Sequence, residues 1–136
     1  MNIFDFDERK KMINIDNTFE KELRKYQRYS TELPATLHLL HTNTSKPAVI
    51  RDISLCGFRL NTKTQMFLEQ IVSISVVVDN LYNFKCKTKV IRRKTTDGDL
   101  FLYGMEITEI SDQDLIFLKD YLSALSIHQN TKNYFV

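Results

Sequence analysis

Two cysteines, three glycines and three histidines in 136 residues remove several functions before any motif is read. Cys56 and Cys86 are too few for a disulfide scaffold and fall in no zinc-type Cys/His spacing, so both read as reduced, buried small hydrophobes. Three glycines leave no Gly-rich loop that could cradle phosphates. His38, His41 and His128 are scattered without ligand spacing, so no metal is expected. No nucleophile with its base and no paired carboxylates stand out either, so no catalytic residue is assigned and an enzyme is not expected. The longest apolar run, Ile71 to Val78, is broken by Ser73 and Ser75 and is far too short to cross a bilayer. Met1 to Lys11 carries three acids and no apolar stretch of the secretory type, which makes the cytoplasm the expected compartment, with no membrane insertion. A net charge of +2 gives no molecule-wide field for gripping DNA or RNA, although a local cluster could still hold a small anion.

What is present is β-pattern. Residues 1–16 mix apolar and charged residues without a clean period and read as a flexible arm. Asn17 with Glu20 forms a capping-box pattern, with Phe19, Leu23 and Tyr26 on one helix face. That helix and the arginine loop behind it occupy 17–33, and Pro34 closes the loop before alternation begins. Ala35, Leu37, Leu39 and His41 share one parity. A polar turn over Thr42 to Pro47 leads to a strand from Ala48 to Ile53, and Phe58 and Leu60 begin a third. Val72, Ile74, Val76 and Val78 alternate in a fourth strand, which breaks at Asp79-Asn80. Phe84, Cys86, Thr88 and Val90 form the inward parity of the fifth, against Lys85, Lys87 and Lys89 outward. The six basic residues from Lys85 to Lys94, with no acid among them, read either as a solvated strand face or as an anion or partner patch. Asp97-Gly98 reverses the chain into a sixth strand over Leu100 to Thr108. Ser111 and Asp114 then cap a helix over 111–127, whose Leu115, Leu118, Leu122 and Leu125 recur at helical spacing, and 129–136 reads as a frayed tail. Six short strands over 34–109 between two helices indicate a small β-barrel or sandwich.

Two polar stretches are left over. Arg24-Lys25-Tyr26-Gln27-Arg28 carries two guanidinium forks, which can take a guanine O6/N7 edge or a phosphate bidentately, or stack on a purine. Arg51-Asp52-Ile53-Ser54-Leu55-Cys56-Gly57 has the residues of a tight turn, in which Asp and Ser bond local backbone and Gly accepts positive φ. The same residues could present a carboxylate, a hydroxyl and bare backbone to one pocket.

Arg-x-x-x-Arg followed, one strand later, by Asp-x-Ser-x-x-Gly resembles the PilZ domain family of bacterial receptors for cyclic di-GMP, over about Glu22 to Leu125. The Tyr-Gly-Met-Glu-Ile segment of the sixth strand resembles that family's last strand. The resemblance implies a six-stranded antiparallel barrel with an N-terminal helix or arm and a C-terminal helix, forming one PilZ domain over 17–128. It implies that Arg24, Arg28, Asp52, Ser54 and Gly57 bind cyclic di-GMP, that no cofactor is needed, and that Leu23, Lys25, Arg51 and Arg59 are possible auxiliaries. Many relatives carry a further arginine where Leu23 stands, and its loss here favours a single bound ligand. The function implied is a cyclic di-GMP receptor that moves its N-terminal segment and signals to a protein partner. A ligand-independent adaptor is the alternative.

Overall fold

The computed structural model describes residues 27–79 and 83–134. The expected arm, the expected helix up to Tyr26 and Asn80 of the expected reversal lie outside the described residues.

Six strands, β1 (Tyr29–Leu39), β2 (Thr44–Ile53), β3 (Gly57–Thr62), β4 (Ile71–Val77), β5 (Asn83–Thr95) and β6 (Phe101–Ile110), precede one helix, α1 (Asp112–Tyr134). Every strand pairing is antiparallel, and the order β1-β2-β3-β6-β5-β4 closes into a barrel. Of barrel and sandwich, the barrel is therefore the fold.

The inward parity follows the sequence pattern. Leu37, Ile50, Leu60, Ile74, Val90 and Tyr103 are among the fully buried side chains. Burying each large apolar side chain contributes about 1.5–3 kcal/mol. Tyr103 keeps its phenol satisfied by accepting from Met66 N at 2.8 Å and donating to Thr64 O at 3.1 Å. It thereby ties the β3–β4 connection to the core.

The pattern is displaced in three places. β1 begins at Tyr29, five residues before its expected start, because Pro34 is tolerated inside it. The ladder to β4 starts only at Ala35, so at Pro34 the strand is paired on one side and loses little by lacking an N–H. Pro47 is inside β2 for the same reason, since pairing with β3 starts at Val49. The reversal is thereby shortened to 40–43, with Asn43 at φ 51°, and His41 is exposed within it. Finally, α1 continues to Tyr134, where a frayed tail was expected. At its start Ser111 Oγ accepts from Asp114 N at 3.1 Å and donates to Asp114 Oδ2 at 3.0 Å, the expected cap. Leu115, Leu118 and Leu122 are buried where α1 packs against β5 and β1. Both cysteines are buried and neither is in a disulfide, and burial, with Asp114 nearby, pushes the Cys86 thiol far above its ordinary range.

Candidate ligand-binding cleft

Two bulges decide what faces the outside of the barrel near the β2–β3 turn. Between β2 and β3 the pairing runs Ile50↔Leu60 and then Asp52↔Arg59, which makes Arg51 the extra residue. Asp52 therefore stands opposite Arg59 and its carboxylate accepts from Arg59 Nε, with the acid buried and the arginine half exposed. Arg51 is turned elsewhere, donating to Asn61 Oδ1 at 2.8 Å and to Glu32 Oε1 at 3.3 Å. It does not reach the cleft described below.

The turn itself is locked by its serine. Ser54 N donates to Gly57 O at 2.9 Å, and Cys56 N donates to Ser54 Oγ at 3.1 Å. Gly57 does not take the positive φ that the turn reading gave it, since Gly98, at +82°, is the glycine with positive φ among the described residues. A β-carbon at Gly57 would come within 1.9 Å of Met105 O, so the missing side chain is what lets the β6 backbone approach.

Ser30 pairs with Asp52, and Arg28 lies two residues upstream on the same parity. Tyr29 between them is buried in the core, and Arg28 lies just ahead of the first strand. Arg28, Asp52, Ser54 and Gly57 consequently line one cleft of about 380 Å³, together with Arg59. Leu23, Arg24 and Lys25 lie outside the described residues.

The far wall of the cleft comes from β5, and the sequence reading did not place it there. Arg92, Arg93 and Lys94 line it, above Leu68, Ile91 and Leu102. Alternation from Lys85, Lys87 and Lys89 would have turned Arg92 and Lys94 into the core. A second bulge, at Ile91 between Val90↔Met105 and Arg92↔Gly104, reverses the parity instead. The signal was available: an inward parity ending in two cations has to break before it buries them. The first half of the basic run is the solvated face, with Lys87 and Lys89 paired to Glu109 and Glu69, both at 3.5 Å. The second half, past the bulge, borders the cleft.

Among the described residues no group of three His, Cys, Asp or Glu could hold a metal, and no helix is long and apolar enough to cross a membrane.

A family model, the PilZ domain, matches residues 22–124. Solved structures with the same fold include the PilZ domain of YcgR from Escherichia coli with cyclic di-GMP, at TM-score 0.66 and 17% identity, covering 83% of this chain and 98% of that one. The inhibitor of motility MotI/DgrA of Bacillus subtilis matches at TM-score 0.67 and 14% identity, over 77% of this chain and 52% of that one. The MrkH–cyclic di-GMP complex of K. pneumonia matches at TM-score 0.68 and 14% identity, over 80% and 55% respectively. The chain thus spans about half the length of MotI and MrkH. No curated protein sequence matches it. With the family model running from ahead of β1 through the whole barrel and into α1, the chain belongs to the PilZ domain family.

Proposed function

We propose that this PilZ domain is a receptor for cyclic di-GMP, which it binds in the cleft between the β1 entry, the β2–β3 turn and the end of β5. The observation that carries the reading is that Arg28, Asp52, Ser54 and Gly57, from two separate motifs, line the same cleft. Its volume, about 380 Å³, falls in the range of small-ligand sites. In this reading the forks of Arg24 and Arg28 take the guanine edges and phosphates. The Asp52 carboxylate accepts from the guanine ring N–H and exocyclic amine. Ser54 both closes the turn and borders the ligand. Titration calorimetry tests this directly: cyclic di-GMP binds, and GTP and cyclic di-AMP bind far more weakly. A chain that ignores all three nucleotides is instead a ligand-independent adaptor.

The signal is relayed through the segment ahead of β1, which carries the arginine motif and ends where the cleft begins. Binding through Arg24 and Arg28 draws that segment onto the barrel rim and alters the surface a protein partner reads. Hydrogen exchange over residues 1 to 30 is expected to slow on adding cyclic di-GMP. Unchanged exchange there, in a sample that binds the ligand, defeats the relay.

A further inference from the structure

The register of the barrel sets up a row that neither motif contains. Ser30 pairs with Asp52, Asp52 with Arg59, Arg59 with Gly104 and Gly104 with Arg92. Read across β2, β3, β6 and β5, the row runs carboxylate, guanidinium, bare backbone, guanidinium. Strands lie about 4.8 Å apart, so Asp52 and Arg92 are separated by about 14 Å across the strands. Gly104 is the only position in this four-strand row without a side chain to stand between the two arginines. A β-carbon there would lie 3.2 Å from Arg92 Cβ and 3.7 Å from its Cγ, so the glycine seats the Arg92 stem against the β6 backbone.

The cations near the row reach the cleft from both of its walls. Arg59 is already matched by Asp52, and Arg93 has its guanidinium 4.9 Å over the Phe101 ring. Arg92 and Lys94, brought to one face by the bulge at Ile91, border the same cleft as Arg28 from its opposite wall. An anionic ligand whose base edge lies at Asp52 and which extends over Gly104 reaches this wall.

We propose that Arg92 is a ligand-binding residue outside both motifs: its guanidinium holds a phosphate oxygen of the nucleotide laid across β3 and β6, with Lys94 as a second point charge beside it. This assignment rests on the cyclic di-GMP reading of the cleft. It also supplies, from the opposite wall of the cleft, a cation of the kind that Leu23 does not provide.

The test is calorimetric titration of the full chain with cyclic di-GMP at low and high salt. Arg92→Met keeps a long stem against Gly104 and removes the fork. It is expected to weaken binding about tenfold or more and to flatten the salt dependence of the affinity. Arg92→Lys is expected to weaken binding less while keeping that salt dependence, which guards against a trivial loss of fold in the Met variant. Lys85→Met, on the same strand but away from the cleft, should bind as the wild type does. Wild-type affinity and salt dependence in Arg92→Met overturn the assignment while leaving the receptor reading intact. A wild-type chain that binds no cyclic di-GMP overturns both.

Discussion

Arg28→Ala abolishes measurable cyclic di-GMP binding in a calorimetric titration, and Arg28→Lys fares nearly as badly. The expectation comes from the fork. A bidentate guanine contact contributes about 1–3 kcal/mol, and micromolar affinity corresponds to about 8 kcal/mol in total. Losing about 3 kcal/mol weakens binding more than a hundredfold, out of a titration's usual reach. Lysine keeps the charge but offers one donor head in place of a planar pair, so it restores little. The fold should not register the change. Arg28 is exposed and precedes β1, whose hold on the core is the buried Tyr29, so the variant should unfold within about 0.5 kcal/mol of the wild type. Wild-type affinity in Arg28→Lys would refute the assigned role.

The second large effect is on stability. Gly57→Ala places a methyl group 1.9 Å from Met105 O, and the obstructing atom is backbone in a paired strand, which cannot swing aside. Overpacking of this kind typically costs about 1–3 kcal/mol and here should reach the top of that range, lowering the melting temperature by about 10 °C. Gly98→Ala is the comparison. Nothing lies within 4 Å of its added carbon, and its φ of +82° adds only the strain of a left-handed turn, about 1–2 kcal/mol. Thermal unfolding of the two variants separates the mechanisms. If Gly57→Ala melts with the wild type yet fails to bind cyclic di-GMP, the glycine belongs to the ligand and not to the β3–β6 contact.

How far these features could be read from sequence depends on where alternation survives. Ala35, Leu37 and Leu39, Val72, Ile74 and Val76, and Tyr103, Met105 and Ile107 all point inward as their spacing predicts. Period-two reasoning carries no memory across a bulge, however, and two of the bulges, at Arg51 and Ile91, fall beside the cleft. Arg51, which the resemblance made a possible auxiliary, is the extra residue of the first and turns to Asn61 and Glu32, and the one at Ile91 hid Arg92 and Lys94. The prolines misled for a related reason. Pro34 and Pro47 look like strand ends, and only the one-sided pairing at each position, a tertiary fact, makes them acceptable inside β1 and β2. The motif residues were recognisable through family resemblance alone, because an Asp-x-Ser-x-x-Gly turn needs no ligand to explain it. Its local hydrogen bonds bear that out: Ser54 shapes the turn through its backbone N–H and its hydroxyl alike.

The first strand has a second attachment beyond the sheet. Thr31 and Tyr121 share a hydrogen bond at 2.9 Å between their hydroxyls, three residues along from Arg28. Tyr121 belongs to α1, which thereby touches the same end of β1 that Arg28 precedes. A ligand that shifted the start of β1 would alter the hydroxyl neighbour of Tyr121 and with it that tyrosine's near-ultraviolet signature, an optical gauge that needs no attached label.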